Sequence, residues 1–309
     1  MAQPVLAQDI PPPADGNGDE VRIITPDMVD RDQSQILRRP PTQSAPDSQA
    51  GEESPSAAPS ATSGETGFPS ILAIFAHPDD EITVAPVLAR AARTGGEVTI
   101  VFATSGDAGP GVTALEPGAE LAGLREDEAG CSAFALGLSE PIFWRLGDGS
   151  LATMARAPDS AANDMAERIG NLIAIEQPDI VMTWGPDGGY GHADHRMVSN
   201  IVTQVVQAMG EGRPDLLYPV LPASSEGEQK QIPGFEGWAR IDPSLATDRL
   251  RYELLDLEST RIAVDCYQSQ FDPSARAYLP EMLHREIWQG SVYFRLVFPK
   301  AERPPEVQN

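Results

Sequence analysis

Basic side chains and sulfur are scarce in this chain and long apolar runs are missing, and each shortage removes a class of function. The 309 residues include 22 Lys and Arg against 46 Asp and Glu, for a formal net charge of -24. Such a surface repels phosphate backbones and anionic headgroups, so nucleic acid is excluded as a partner and the acidity reads as a solvated face. The two cysteines, Cys131 and Cys266, have neither metal-ligand nor C-x-x-C spacing. They indicate no disulfide framework and no cysteine zinc site, and are expected as two buried thiols. No run approaches the roughly 18 apolar residues that cross a bilayer, so no transmembrane segment is expected.

A 41% hydrophobic content is present and suits a globular core. It is unevenly spread. From about Gln8 to Gly67 the chain is rich in Pro, Ser, Ala, Gln and acids, as in "RRPPTQSAPDSQAGEESPSAAPSATSGETG", and cannot bury enough surface to offset its ordering entropy. Residues 1–67 are therefore expected as a disordered extension, with "EVRIITPDMV" as the stretch able to order against the domain. The first residues, "MAQPVLAQD", offer the small-residue end of a secretory signal without its basic and apolar regions. With the Pro/Ser-rich linker, this favours an exported or periplasmic location over the cytoplasm.

After Gly67 buried strands alternate with helical patterns. "SILAIFA", "EVTIVFAT", "PIFWRL", "PDIVMTW" and "DLLYPV" read as strands, and between them lie "ITVAPVLARAART", "AELAGLREDEAGCSAFALGL", "SAANDMAERIGNLIAIE" and "RMVSNIVTQVVQAMG", each apolar at three- and four-residue intervals. The pattern predicts a single doubly wound, Rossmann-like α/β domain over 68–300, a mostly parallel sheet with flanking helices. A polar loop around Ser224 to Gln231 precedes a strand "RYELLDL", helices in "ESTRIAVDCYQSQF" and "ARAYLPEMLHREIW", a strand "SVYFRLVF" and a flexible tail over 301–309.

In such sheets ligands collect beyond the carboxyl ends of the strands. "AHPDDE", Ala76 to Glu81, sits at the end of the first strand, where Pro78 suits a first turn and His77 and Asp80 are spaced to share one side. Alone, Asp79, Asp80 and Glu81 could simply complement a helix N-terminus. The second constellation, "MTWGPDGGYGHADHRMVS", also follows a strand and delivers His192 and His195 at a helix start. Three of the four histidines thus fall in two loops on one sheet edge, while the fourth, His284, reads as structural. Histidine and carboxylate ligands without cysteine suit one Zn²⁺ ion in an open catalytic site, with another divalent metal as the alternative.

"AHPDDE" together with "PDGGYGHADH" resembles the PIG-L/LmbE-like zinc-dependent de-N-acetylases, over roughly Ser70 to Asp272. The resemblance implies that His77, Asp80 and His195 bind the metal and that Asp79 is the general base. It further implies that His192 polarises the carbonyl or stabilises the oxyanion, with Asp194 orienting His192 or serving only as a helix-start acid. Tyr190 is similar to a mobile oxyanion-side donor in the mycothiol-pathway branch. Arg125 and Asp148 resemble sugar-binding residues, although Arg125 could equally pair with Glu128 at i, i+3. Asp107 matches a loop common in the family, but Ala108 departs from the longer acidic version of the mycothiol-pathway enzymes, which argues against a mycothiol-type substrate. Trp238 could stack on a sugar or pack in a surface loop. The implied activity is removal of an N-acetyl group from an N-acetylglucosamine-type glycoside or glycoconjugate. A sister amidase acting on a larger acyl or cysteinyl amide is the alternative enzyme, and an idle carbohydrate-binding module the non-enzyme one. Glu81 reads as an ordinary acidic helix start. The sequence leaves the oligomeric state open.

Overall fold

A computed structural model describes residues 68–222 and 238–301. The expected disordered extension with its "EVRIITPDMV" stretch, the polar loop around Ser224 to Gln231 and most of the C-terminal tail lie outside the described residues.

The chain runs β1 (Ile71–Phe75), α1 (Ala85–Arg93), β2 (Val98–Phe102), α2 (Ala119–Ala135), β3 (Ile142–Phe143), α3 (Ala161–Glu176) and β4 (Ile180–Met182). It continues through a kinked turn α4 (Gly188–Gly191), α5 (Ala193–Ala208), β5 (Asp215–Pro219), β6 (Asp248–Arg251), α6 (Leu254–Cys266), α7 (Pro273–Met282) and β7 (Ser291–Phe298). One sheet holds all the strands in the order β3-β2-β1-β4-β5-β7-β6. The first five pair in parallel, and β7 joins β5 and β6 antiparallel. This is the mostly parallel α/β layer expected from the alternating pattern.

β1 shows why the apolar runs read as buried strands. All five of its residues are buried, and their period-2 alternation divides them between two cores. Ile71, Ala73 and Phe75 pack with Leu88 of α1 and Leu257 and Val264 of α6. Leu72 and Ile74 pack with Ile169 of α3 and Val198 and Val202 of α5. Helices thus cover both faces, and β1 pairs with β2 on one side and β4 on the other. The crossovers leave β1 in opposite directions, so a crevice opens between the carboxyl ends of β1 and β4.

Two expectations are corrected. "RYELLDL" is not a strand: β6 ends at Arg251, and a reciprocal capping box between Glu253 and Asp256 starts α6 at Leu254. The alternating apolar residues imitate a strand, but the exposed Leu254 and Leu255 show that no sheet face receives them. Nor are the cysteines free thiols: Cys131 on α2 and Cys266 on α6 form a disulfide with Cα atoms 5.8 Å apart. Their 135-residue separation hid the pairing, which depends on α2 lying against α6.

Candidate metal centre

The β1 turn carries the first half of the site. After Phe75 the chain enters a turn leading to a short 3₁₀ segment over Asp80–Thr83, where His77 and Asp80 are 6% and 5% exposed. Asp80 Oδ2 accepts from the backbone N–H groups of Ala76 and His77, both at 3.0 Å. These bonds fold the carboxylate back over its own turn and fix its second oxygen. Asp79 is left-handed, with φ 101° and ψ −18°. A non-glycine residue there is strained, and such strain gathers at functional positions.

The β4 end carries the second half. Trp184 is buried, donates from Nε1 to Asp80 Oδ2 at 2.9 Å, and stacks on His195 with ring centroids 4.5 Å apart and planes 6° apart. The following glycines make the loop that brings His195 in. Gly188 and Gly189 take φ of 69° and 74°, and a Cβ on Gly189 would lie 2.7 Å from the Trp184 ring. His192 caps α5, its Nδ1 accepting from the Asp194 N–H at 3.2 Å, and His195 follows one turn later.

The two halves meet with their ring nitrogens and a carboxylate turned toward one another. His195 Nδ1 lies 3.0 Å from Gly188 O. A carbonyl only accepts, so Nδ1 holds the proton and Nε2 presents a lone pair. That lone pair faces Asp80 Oδ1 at 3.1 Å and His77 Nδ1 at 3.1 Å, while His77 Nδ1 is 3.9 Å from Asp80 Oδ2. A proton on His77 Nδ1 can be shared with that lone pair, and a divalent cation would satisfy the same atoms together. Two imidazole nitrogens and the Asp80 carboxylate, whose Oδ2 is held by three N–H groups while Oδ1 faces His195, are a donor set that fits a divalent metal. A ligand atom of His192 also lies within 4.8 Å of those of His77 and His195, but its Nδ1 is already occupied by the Asp194 N–H.

Carboxylates surround this centre. His77 Nε2 is 3.0 Å from Asp148 Oδ1 and 3.5 Å from Asp194 Oδ2, although neither oxygen lies along its N–H direction. Burial disfavours the His77 cation, yet Asp148, Asp194 and Asp80 outweigh it and push the pKa up to about 10. Asp80 is held well below the usual carboxylate range, because His195, His77 and the Trp184 N–H overcome its burial. Asp79 moves the other way, up to about 7, through burial reinforced by Asp80 and Glu81 and opposed by Arg125 and His77. Burial, with His77 and His195, lowers the pKa of His192.

The remaining sequence-derived residues divide. Arg125 is 4% exposed and does not pair with Glu128, which instead accepts from the Ser269 N–H and hydroxyl. Its guanidinium donates to Pro78 O at 2.6 Å, Asp79 Oδ2 at 3.2 Å and Gly106 O at 3.1 Å, which ties it to the turn of the first motif. Asp148 faces His77, its Oδ2 takes the Ala108 N–H, and its own N–H donates to Asp107 Oδ1. The Asp194 carboxylate accepts from the Gly149 and Leu151 N–H groups, so only its backbone N–H meets His192. Tyr190 stands edge-on to His195 at 5.2 Å and to His192 at 6.1 Å. Trp238 lies 6.4 Å from Trp184 and 6.3 Å from Tyr190, and the next residue, Ala239, donates to Gly189 O. His284 is remote from the centre and bonds Tyr252 OH.

Two residues escaped the sequence reading. Trp184 ends an apolar strand and looks like core, and only its place next to the glycine loop signalled more. Glu81 is corrected outright. It is 1% exposed, and its carboxylate accepts from Ser132 Oγ, Tyr267 OH and the Asp79 N–H instead of capping a solvated helix start.

Comparison with known proteins bears on the family and the fold. The PIG-L family, described as GlcNAc-PI de-N-acetylase, matches residues 72–206. A 1D-myo-inositol 2-acetamido-2-deoxy-alpha-D-glucopyranoside deacetylase of Mycobacterium sp. (strain KMS) is 33% identical over 205 residues, 58% of this chain and 66% of that protein. The chain thus spans just under two thirds of that relative's length. The enzyme of the same name from Saccharomonospora viridis is 30% identical over 228 residues, 67% of this chain and 83% of that protein. An N,N'-diacetylchitobiose deacetylase from Pyrococcus horikoshii shares the fold, with a TM-score of 0.54, 18% identity, and coverage of 75% of this chain and 86% of that one. With the matched region spanning both histidine motifs, the chain belongs to the PIG-L, or GlcNAc-PI de-N-acetylase, family.

Proposed function

We propose that this chain is a zinc-dependent hydrolase that removes the N-acetyl group from a 2-acetamido-2-deoxy-glucose-type glycoside or glycoconjugate by direct attack of water. The observation that carries the reading is the buried convergence of His77 Nδ1, His195 Nε2 and Asp80 Oδ1, with Asp79 beside them. His77, Asp80 and His195 would hold the ion. A divalent metal bound there lowers the pKa of water and polarises an amide carbonyl.

Every other step belongs to side chains of this protein. Asp79 takes the proton from the attacking water, a role its raised proton affinity suits. His192, with Nδ1 engaged as an acceptor, keeps its proton on Nε2 and donates it in a hydrogen bond to the developing oxyanion, while the proton that Asp79 took from water passes to the departing amine. Tyr190, on a glycine-flanked turn, is a second oxyanion-side donor. Arg125 and Asp148 touch Asp79 and His77, and act through those contacts beside any contact they make with the sugar. Asp107 braces Asp148 from the rim. Asp194 holds the 149–151 loop against the centre.

The names of the similar deacetylases support an N-acetylglucosaminyl substrate, including an inositol-linked one, even though Ala108 departs from the acidic loop expected for that branch. The Cys131–Cys266 disulfide supports an oxidising, extracytoplasmic location. Among the described residues no helix is long and apolar enough to cross a membrane.

Metal analysis of the purified chain, with acetate release from N-acetylglucosaminides by wild type and Asp79→Asn, tests the reading. We expect about one divalent ion at the three-ligand site and a near-inactive variant. A chain that takes up no divalent metal, or an Asp79→Asn variant with full activity, would overturn it.

A further inference from the structure

Glu81 is a buried carboxyl group without an ion pair among the described residues. It is 1% exposed, between α2 and α6, where Ser132 and Tyr267 are both fully buried. Burying a carboxylate this way is expensive, and an apolar residue of similar volume would cost less if packing were the only requirement. Its contacts indicate another requirement. Oε1 receives two hydroxyls, Ser132 Oγ and Tyr267 OH, both at 2.6 Å. Oε2 receives the backbone N–H of Asp79 at 3.1 Å.

That N–H belongs to the residue whose φ is 101°. Holding a non-glycine residue in such a conformation costs on the order of 1–3 kcal/mol, and it persists only when the surroundings over-determine it. The Glu81 carboxylate supplies the acceptor on one side of the strained peptide, and Arg125 holds Pro78 O and Asp79 Oδ2 on the other. The residues donating to Glu81 are themselves fixed. Ser132 follows Cys131 and Tyr267 follows Cys266, so the disulfide joins the positions immediately before the two hydroxyl donors.

We infer that Glu81 is a positioning residue that holds Asp79 in its left-handed conformation, and that the Cys131–Cys266 disulfide fixes the hydroxyl pair holding Glu81. The inference rests on Asp79 acting as the general base. The chain of contacts runs from the covalent link through Ser132 and Tyr267 to Glu81 and the Asp79 backbone, and never touches substrate. Its signature is a loss in kcat at unchanged KM and unchanged metal content.

The test uses the full chain, loaded with zinc, in four variants followed by acetate release, metal analysis and circular dichroism. Glu81→Leu removes the acceptor for the Asp79 N–H, and kcat is expected to fall on the order of 10- to 100-fold, as misplacement of a reacting group does. Glu81→Gln keeps a carbonyl for the Asp79 N–H and turns its amide toward hydroxyls that can accept, so it is expected to restore kcat to within about threefold of wild type. Ser132→Ala/Tyr267→Phe, and separately Cys131→Ala/Cys266→Ala, are expected to lower kcat by smaller factors with KM unchanged.

A folded, zinc-loaded Glu81→Leu with wild-type kcat overturns the positioning role, as does a Glu81→Gln variant no better than Glu81→Leu. If Glu81→Leu does not fold, the Ser132→Ala/Tyr267→Phe variant decides the same point, and wild-type kcat in it refutes the inference. Wild-type kcat in the cysteine variant removes the disulfide from the chain of contacts. Asp79→Asn separates the two readings. If it is active, the general-base assignment fails; if it is inactive while Glu81→Leu turns over normally, only the positioning role fails.

Discussion

Replacing both Cys131 and Cys266 by alanine should destabilise the domain by an amount set by the loop the disulfide closes. The cysteines are 135 residues apart. Loop-closure entropy for a ring of that size gives about 5 kcal/mol at 25 °C if the cross-link acts wholly on the unfolded chain. Little else changes on substitution, because Cys131 is exposed and Cys266 loses one small side chain at 8% exposure. For a domain of roughly 150–250 residues each kcal/mol moves Tm by about 2–4 °C, so the midpoint should drop by about 10–20 °C. Urea unfolding of wild type, with and without reductant, against the double variant measures the effect, and only the oxidised wild type should show the higher midpoint. An intact mass that rises by about 2 Da on reduction checks the link directly. Two titratable thiols in the unfolded, unreduced chain, or a variant whose midpoint equals that of oxidised wild type, would refute this account.

Further substitutions probe the centre itself. Trp184→Ala removes the N–H held by Asp80 and the ring stacked on His195, so metal retention against a competing chelator should weaken about 10- to 100-fold; unchanged retention would make the tryptophan mere packing. Gly106→Ala would set a Cβ 2.2 Å from Arg125 Nη1 at φ +65°. Displacing that guanidinium from Pro78 O and Asp79 should cut kcat by about tenfold or more, and a wild-type rate would show that Arg125 can yield without consequence. Chelation should abolish acetate release and added Zn²⁺ should restore it, whereas activity that survives complete metal removal would exclude the proposed chemistry.

The legible parts of the structure were those with a local signal. β1, β2, β4 and β5 announced themselves because a strand buried on both faces is an uninterrupted apolar run. The site was legible because both histidine motifs follow such strands, and β1 and β4 are neighbours in the sheet. What escaped depends on tertiary pairing. Nothing near Cys131 points to Cys266, and nothing near Glu81 reveals the Ser132 and Tyr267 hydroxyls waiting on two distant helices. Arg125 offered a local partner in Glu128, and the fold gave each a remote one. The start of α6 was missed because Tyr252 and Leu254, and then Leu255 and Leu257, alternate as in a strand until the Glu253 cap is seen.

The left-handed backbone at Asp79 also governs how a knockout at that position can be read. Positive φ is tolerated best by glycine and, among larger residues, by asparagine and aspartate. Of these, only aspartate can take up a proton as a carboxylate, so conformation and chemistry converge on one amino acid. Alanine would remove the base while resisting the turn, and glycine would remove it while loosening the turn. Asparagine matches both the size and the backbone preference, which makes it the substitution in which lost turnover reports lost proton transfer alone.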